Sequence, residues 1–323
     1  MRNIWLDGIM GVVIGDALGD PVQFSSREKI RKDGLIMSME DGGPYNTPAG
    51  TWTDDGSLSI ATMDSIIQKG FVVPQDIMDR FVRWLYCGDY TPFGKAFDNG
   101  ATCTAAIHDY SKRHDWKTCG RTGERSNGNG GIMRILPVCL FCIDQDKKEY
   151  AAINRVHDVT SLTHNHTRAL IGSGIYYFMA RAIVNEDGDL NTRLQSGMDA
   201  ARAFYQTAES YTKELKNYGR MYDIEGFSLL DEGQIRSTGY VVDTLEAAVW
   251  SLSRTESFRD ALLTAVNLGD DSDSVGAVCG GLAGLYYGYD AIPADWLAAI
   301  QKRDWIEYLC EKAAAIKDDQ LSD

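Results

Sequence analysis

Two stripes of glycine at helical spacing constrain the fold of this chain more than any other feature. One stripe lies in the first 20 residues and the other between residues 276 and 288: Gly8, Gly11, Gly15 and Gly19; Gly276, Gly280, Gly284 and Gly288. Residues three or four apart share one face of a helix. Each glycine inside a helix costs up to ~1 kcal/mol relative to alanine. The stripes therefore indicate close backbone approach, either to another helix or to a ligand, rather than scattered small-residue packing.

Apolar residues recur at helical spacing along nearly the whole chain. The pattern predicts helices that include residues 76–87, 167–184, 190–216, 239–253, 257–268 and 303–316. Alternating patterns typical of strands are scarce, and no linker or low-complexity stretch divides the chain. We therefore expect roughly a dozen helices in one compact all-α domain over residues 1–323, with a frayed tail from about residue 317.

The charge balance argues against two classes of partner. The 323 residues include 32 Lys and Arg against 46 Asp and Glu, a formal charge of −14. Nucleic acids and anionic membranes are bound through clustered Lys and Arg, so we expect neither as a partner. Asp7 and Asp16 interrupt the first apolar stretch, which therefore resembles neither a signal peptide nor a membrane span. We expect a cytoplasmic protein.

The seven cysteines include one C-x-x-C pair, Cys139 and Cys142. This pair lies on an apolar run typical of a core helix, and no second Cys/His pair stands beside it. We therefore predict buried reduced thiols rather than a redox or zinc site.

Two acidic segments at predicted helix starts are the richest places for chemistry. Residues 51–57 read TWTDDGS and residues 269–274 read GDDSDS. Thr53 suits an N-cap and first-turn acids suit the helix dipole, so simple capping is one interpretation. The other is a metal site, because carboxylate and hydroxyl oxygens at this density suit hard divalent cations, and two converging clusters could hold two. The spacing alone leaves both open.

Two further segments carry polar groups. Residues 126–134 read SNGNGGIMR, and such a run can expose backbone N–H groups that bind phosphate, with Arg134 adding charge. A flexible turn is the plainer alternative. His164 and His166 could serve as ligands, as a proton shuttle or at a helix start, and hydrogen bonding is the more usual role.

Six segments, in order, resemble the ADP-ribosylglycohydrolase family, which includes the nitrogenase-regulating glycohydrolases. They are residues 15–19, 53–55, 126–134 with Pro137, 163–164, 240–248 and 269–274. The resemblance implies an orthogonal all-α fold with a binuclear Mg²⁺ or Mn²⁺ centre at the base of a cleft. Motif matching gives the metal ligands as Thr53, Asp54, Asp55, Asp271, Asp273 and Ser274.

The implied activity is metal-dependent hydrolysis that releases ADP-ribose from a modified protein side chain, arginine above all, or from an ADP-ribosyl small molecule. The predicted catalytic residues are Asp98, Asp55 and Asp271. The predicted substrate-binding residues are Gln23, Gly100, Thr102, Ser126, Gly128, Asn129, Gly130, Met133, Arg134 and His164. A non-enzymatic ADP-ribose binder and a two-metal nucleotide phosphohydrolase are the alternatives.

Two positions depart from the family pattern. Gln23 stands where many relatives have Glu, and an amide cannot accept a proton as a general base. Residues 97–102 resemble the stretch in which the nitrogenase-regulating members place a catalytic Asp, which implies that Asp98 is the acid/base or the ribose-contacting carboxylate; an exposed acid at a helix start is the alternative interpretation. Asp270 stands where glycine is common, which adds charge beside the expected metal site.

Overall fold

The computed structural model describes residues 2–145 and 148–316, so the expected frayed tail lies outside the described residues. Within these ranges the secondary structure is helical, with isolated bridges and no β-strand, which confirms the all-α prediction. The α-helices are α1 (Ile4–Gly19), α2 (Arg27–Asp33), α3 (Asp54–Lys69), α4 (Pro74–Cys87), α5 (Ala101–Arg113), α6 (Trp116–Cys119), α7 (Leu136–Gln145), α8 (Glu149–Ser161), α9 (Thr167–Asn185), α10 (Leu190–Tyr205), α11 (Glu209–Leu215), α12 (Ile224–Ser228), α13 (Val241–Ser253), α14 (Phe258–Val266), α15 (Ser272–Tyr287), α16 (Ala294–Ala299) and α17 (Arg303–Ala314). Short 3₁₀ helices span Asp20–Val22, Glu124–Ser126, Lys216–Tyr222, Glu232–Gln234 and Tyr289–Ala291.

The predicted helices match the observed ones, apart from one division. The predicted helix over residues 190–216 is two helices, α10 and α11, because the chain turns after Tyr205. There the Thr207 hydroxyl donates to the carbonyl oxygen of Phe204, 2.7 Å away. This hydrogen bond competes with the backbone hydrogen bonds that would continue the helix. The other helices beyond the expected dozen are short segments, such as α6 with four residues, in which periodicity carries little signal.

The two glycine stripes meet each other. We call the contact of Gly11, Gly15 and Gly19 with Gly276, Gly280 and Gly284 the glycine seam. A Cβ on Gly15 would overlap the carbonyl oxygen of Gly276, and one on Gly280 would overlap that of Gly11. The prediction of close backbone approach is therefore confirmed, and the partner is a helix.

The glycine seam is antiparallel. Gly19, at the end of α1, faces the backbone of Ser272 and Asp273 at the start of α15, whereas Gly284 faces the backbone of Asp7. The stripes are shorter than predicted, because Gly8 meets leucine side chains and Gly288 follows the helix with φ +84°. The seam thus places the carboxyl end of α1 beside the amino end of α15.

Buried apolar side chains from α1 to α17 form one continuous cluster around the seam. Cys139 and Cys142 lie in this cluster on α7, and neither forms a disulfide, as predicted. No helix within the described ranges has the length and apolar character needed to span a membrane. The cytoplasmic location stays a prediction.

Candidate functional site

The candidate site begins with a buried acid in the last turn of α1. Asp16 is fully buried and accepts hydrogen bonds from the backbone N–H groups of Thr53, at 2.9 Å, and Gly56, at 2.7 Å. These are orphan donors at the start of α3, so Asp16 caps that helix from another element. Thr53 holds the N-cap position, but its side chain caps nothing. The predicted N-cap position of Thr53 is therefore confirmed, but its hydroxyl makes no capping hydrogen bond and points to other partners.

The two acidic segments converge at this point. The Thr53 hydroxyl lies 3.3 Å from Oδ2 of Asp55 and 3.4 Å from Oδ2 of Asp273. The Ser274 hydroxyl donates to the same Asp55 oxygen across 3.3 Å. Asp271, at the N-cap position of α15, makes no side-chain cap either. Segments more than 200 residues apart in sequence thus share one buried polar cluster.

The acids of this cluster are held in an environment that disfavours their charged forms. Burial, reinforced by neighbouring acids, raises the pKa values of Asp54, Asp55 and Asp273 well above the usual range. Burial also raises the pKa of Asp271 to about 6, although the Asn129 amide lowers it. Four carboxylates in one buried place repel each other unless they are protonated or a cation joins them.

The donor set fits hard divalent cations. Oδ1 of Asp55 and Oδ1 of Asp273 are buried and have no hydrogen-bond partner, which is costly for a carboxylate oxygen. Carboxylate and hydroxyl oxygens are the ligands that Mg²⁺ and Mn²⁺ prefer. As they stand, no three His, Cys, Asp or Glu side chains in the described part of the chain are grouped to hold an ion. The fit therefore rests on the mixed set with Thr53 and Ser274 and on the unpartnered oxygens.

A cavity of about 260 Å³ opens onto this cluster. Its lining includes most of the predicted site residues: Gln23, Asp54, Asp98, Gly100, Thr102, Gly128, Asn129, Gly130, Met133, His164, Asp271, Asp273 and Ser274. Thr53 and Asp55 lie behind the wall, joined to it by the hydrogen bonds above. Arg134 and Ser126 do not line the cavity.

The segment of residues 126–134, which we call the glycine-rich loop, is hydrogen-bonded to the chain that precedes α13. The Asn129 backbone N–H donates to Gly239 at 3.0 Å, and the Val241 N–H donates to Asn127 at 2.9 Å. The Asn129 amide donates to Asp271 and to Thr244, so the loop also contacts the acidic cluster. These contacts explain why the loop and residues 240–248 occur together among the matching segments.

Arg134 lies beneath the cavity rather than in it. Its guanidinium is fully buried 4.7 Å from the ring centroid of Phe81 and donates to the Thr163 hydroxyl at 2.7 Å. That hydroxyl lies 2.9 Å from Nδ1 of His164. Burial and the Arg134 charge lower the pKa of His164 to about 3, so the imidazole is neutral. Hydrogen bonds therefore link Arg134 to the cavity through Thr163 and His164.

Gln23 and Tyr45 hold Asp98 at the cavity wall. The Gln23 amide nitrogen donates to Asp98 at 2.6 Å and to Asp273 at 2.7 Å, so it bridges the two carboxylates. The Tyr45 hydroxyl donates to the other Asp98 oxygen at 2.6 Å. Asp98 itself is half-buried, precedes α5 and has φ +52°, a left-handed conformation that is costly for a non-glycine residue. The Asp98 carboxylate is therefore fixed by two hydrogen bonds at the cavity wall, and is not simply an exposed acid at a helix start.

Several residues of this site were not predicted from the sequence. Asp16 was evident as an acid inside an otherwise apolar helix, but that pattern did not assign it to the site. Asp20 is buried, accepts from the Thr47 hydroxyl and has a pKa raised by burial to about 6. No local sequence pattern marks Tyr45 or Thr47 as part of the site, because their hydrogen-bond partners, Asp98 and Asp20, are distant in sequence. Asp270 has φ +55°, which explains why glycine is common there.

Comparison with known proteins identifies relatives over nearly the whole chain. The family model for ADP-ribosylglycohydrolase matches residues 3–321. The chain is 31% identical over 304 residues to the ADP-ribosylarginine hydrolase Tri1 of Serratia proteamaculans, covering 94% of this chain and 77% of that protein. It is 29% identical over 301 residues to the ADP-ribosyl-[dinitrogen reductase] glycohydrolase of Rhodospirillum rubrum, covering 92% and 90%. A solved structure, an ADP-ribosylglycohydrolase-related protein complex, superposes with a TM-score of 0.78 at 28% identity and covers 97% of this chain and 98% of its own.

Proposed function

This chain belongs to the ADP-ribosylglycohydrolase family and is a hydrolase of ADP-ribosyl glycosidic bonds; on that premise we propose that it requires two divalent cations and releases ADP-ribose from arginine side chains. The observation that carries the metal requirement is the convergence of two acidic segments around unpartnered buried carboxylate oxygens. The arginine acceptor is supported by the 31% identical relative, whose name states that it acts on ADP-ribosylarginine.

The residues that would hold the cations are those predicted by motif matching: Thr53, Asp54, Asp55, Asp271, Asp273 and Ser274. When bound, Mg²⁺ or Mn²⁺ at such a site supplies charge that orients ribose hydroxyls and lowers the pKa of a water. Asp16, on α1, binds the start of α3 through the N–H groups of Thr53 and Gly56. The glycine seam holds α15 against α1, so the starts of α3 and α15 are both fixed relative to α1. The ligand geometry is thus preorganised by helices rather than by loops.

Asp98 is the carboxylate that we assign to proton transfer. Both of its oxygens accept hydrogen bonds, from Tyr45 and from Gln23, so its orientation at the cavity wall is set by the protein. Asp98 would take the proton of the attacking water or contact the ribose as positive charge develops at the anomeric carbon. Gln23 has no such role because an amide cannot accept the proton.

The glycine-rich loop supplies the other half of the substrate site. A Cβ on Gly130 would lie 2.7 Å from Sγ of Cys103 and 2.8 Å from Cε1 of His164, so no larger residue fits there. Gly128 and Gly130 line the cavity beside Asn129. We assign this wall to the pyrophosphate, because backbone N–H groups can bind an anion that an acidic protein otherwise repels.

Product analysis tests this function. The protein is incubated with ADP-ribosyl-arginine and Mg²⁺, with serine-linked and O-acetyl ADP-ribose as further substrates, and products are separated by chromatography. We expect intact ADP-ribose and free arginine. Release of AMP or phosphate would instead identify a two-metal nucleotide phosphohydrolase, and tight ADP-ribose binding without turnover of any linkage would identify a binding protein. Either result would contradict the proposal.

A further inference from the structure

An exposed aromatic ring stands at the cavity wall beside Gln23. Phe24 lines the cavity, yet it is 62% exposed. Its backbone is left-handed, with φ +62°, and its N–H donates to the Asp270 carbonyl oxygen at 2.6 Å. The Asp270 N–H in turn donates to the carbonyl oxygen of Ser25 at 2.8 Å. Backbone pairing therefore fixes the point from which this exposed ring projects at the cavity wall.

Gln23 leaves one hydrogen-bond acceptor without a partner next to this ring. Only 5% of Gln23 is exposed, and its amide nitrogen donates to both Asp98 and Asp273. The opposite orientation of the amide would place its oxygen against two carboxylates, so the orientation is set by charge. Oε1 of Gln23 is buried with no hydrogen-bond partner, in a residue that lines the cavity. A ligand with an N–H donor would satisfy it.

The charges at this end of the cavity favour a cation. Among the residues that the structure describes, neither Lys nor Arg lines the cavity. Asp98 is not one of the six residues assigned to the divalent cations, so its negative charge is not neutralised by them. An aromatic face, an unpartnered acceptor and a carboxylate together suit a planar cation that carries several N–H donors.

We propose that Gln23 and Phe24 form the subsite for the guanidinium group of the arginine acceptor and set the preference for cationic over neutral acceptors. This inference rests on the proposed function, because the linked guanidinium lies next to the bond that is cleaved. The Phe24 ring contacts the face of the cation, Oε1 of Gln23 accepts one of its N–H groups, and Asp98 supplies the opposite charge. Gln23 and Phe24 are specificity residues in this account, and neither transfers a proton.

The test compares two substrates that share ADP-ribose and differ in the acceptor. ADP-ribosyl-arginine carries a cationic acceptor, and O-acetyl-ADP-ribose carries a neutral one. The quantity compared is kcat/KM for ADP-ribosyl-arginine divided by kcat/KM for O-acetyl-ADP-ribose. The Phe24→Leu variant keeps apolar bulk without the aromatic face, so this ratio should fall about fivefold to tenfold, chiefly because KM for ADP-ribosyl-arginine rises. Phe24→Tyr, which keeps the ring, should restore the ratio. Phe93→Leu is the matched control, because Phe93 is 50% exposed and does not line the cavity.

The substrate ratio also separates this inference from the proposed function. A Phe24→Leu variant with the wild-type ratio, or with equal losses on both substrates, would overturn the inference and leave the proposed function standing. Wild-type protein that cleaves the neutral substrate but never the arginine linkage would overturn the proposed acceptor and this subsite with it. If the substrate ratio fell as far in Phe93→Leu as in Phe24→Leu, the subsite assignment would also be contradicted, because the effect would not be specific to the cavity.

Discussion

The glycine seam joins α1 to α15, whereas the carboxylate cluster (Asp54, Asp55, Asp271 and Asp273) joins the start of α3 to the start of α15, and the two differ in how they are held together. Along the seam, neutral backbones touch, and adding a single carbon atom would force them apart. At the end of the seam, buried acids repel each other, and two of their oxygens have no partner. The seam is therefore a region of satisfied contacts, whereas the cluster is stable only because its surroundings hold it.

This difference shows how the fold supports its site. Gly19 touches the backbone of Ser272 and Asp273, so the last turn of α1 and the first turn of α15 have no freedom to move apart. Asp16 then fixes the start of α3 against the same point. Repelling carboxylates stay close because rigid backbone contacts, and not the carboxylates themselves, determine their positions.

Removing one carboxylate should affect activity more than any other single change. In Asp271→Ala we expect the loss of at least one divalent cation and a fall in kcat/KM of about 1000-fold, since a ligand to the reacting centre is gone. The chain should stay folded by circular dichroism, because the substitution removes a source of repulsion. Asp270→Asn is the matched control, as Asp270 is exposed and asparagine tolerates its left-handed backbone. Full metal occupancy in Asp271→Ala by elemental analysis would refute this ligand assignment.

Adding one methyl group to the seam should have the largest effect on stability. Gly15→Ala places a carbon on the carbonyl oxygen of Gly276, so we expect a loss of about 3 kcal/mol in the free energy of unfolding. Denaturant titration measures this loss. Gly233→Ala is the control, since an added Cβ there meets nothing within 4 Å. Equal stability of the two variants would show that the seam is not tightly packed.

Divalent cations should stabilise the cluster and leave the seam unchanged. At a concentration of Mg²⁺ 100 times Kd, mass action predicts a gain of about 2.7 kcal/mol for one site, seen as a rise in Tm that EDTA reverses. Gly15→Ala should show the same rise from a lower starting Tm, and Asp271→Ala should show little. A rise in Asp271→Ala as large as in the wild-type protein would place the ions elsewhere.

The pH dependence of stability should distinguish the buried acids of the cluster from a buried histidine that lies outside it. Burial lowers the pKa of His157, whose Nε2 lies 2.7 Å from the Tyr205 hydroxyl, to about 4. The unfolded chain therefore binds a proton below pH 6.5 that the folded protein excludes, and stability should fall by about 2 kcal/mol from pH 7 to pH 5. The buried acids have raised pKa values and act in the opposite direction, losing stability as pH rises. In His157→Gln the loss of stability between pH 7 and pH 5 should be smaller than in the wild-type protein; identical stability profiles of the two proteins would contradict the burial effect.

Helical periodicity and glycine spacing predicted the helices and the existence of a close backbone contact, because both are properties of local sequence. The partner of each stripe was not predictable, since nothing in residues 8–19 specifies residues 276–284. The same limit applies to the site. Thr53 occupies the N-cap position that its local preference predicts, whereas the side chain that accepts from the N–H groups at the start of α3 is that of Asp16 on another helix.

Local sequence patterns also could not predict which side chains line the cavity. Arg134 belongs to a motif with Asn129 and Gly130, but its side chain turns to Phe81 and Thr163 beneath the wall. Tyr45 and Thr47 enter through loops whose contacts span more than 25 residues. Motif matching could order the segments along the chain, and only the packed helices show which side chains reach the cavity.

Reversible metal dependence of ADP-ribose release tests the central claim most directly. The protein is stripped with a chelator, verified as metal-free by elemental analysis, and assayed on ADP-ribosyl-arginine before and after Mg²⁺ or Mn²⁺ is restored. We predict that stripping abolishes ADP-ribose release and that reloading with two ions per chain restores it. Full activity in the verified metal-free protein would contradict the assignment of the carboxylate cluster as a metal centre.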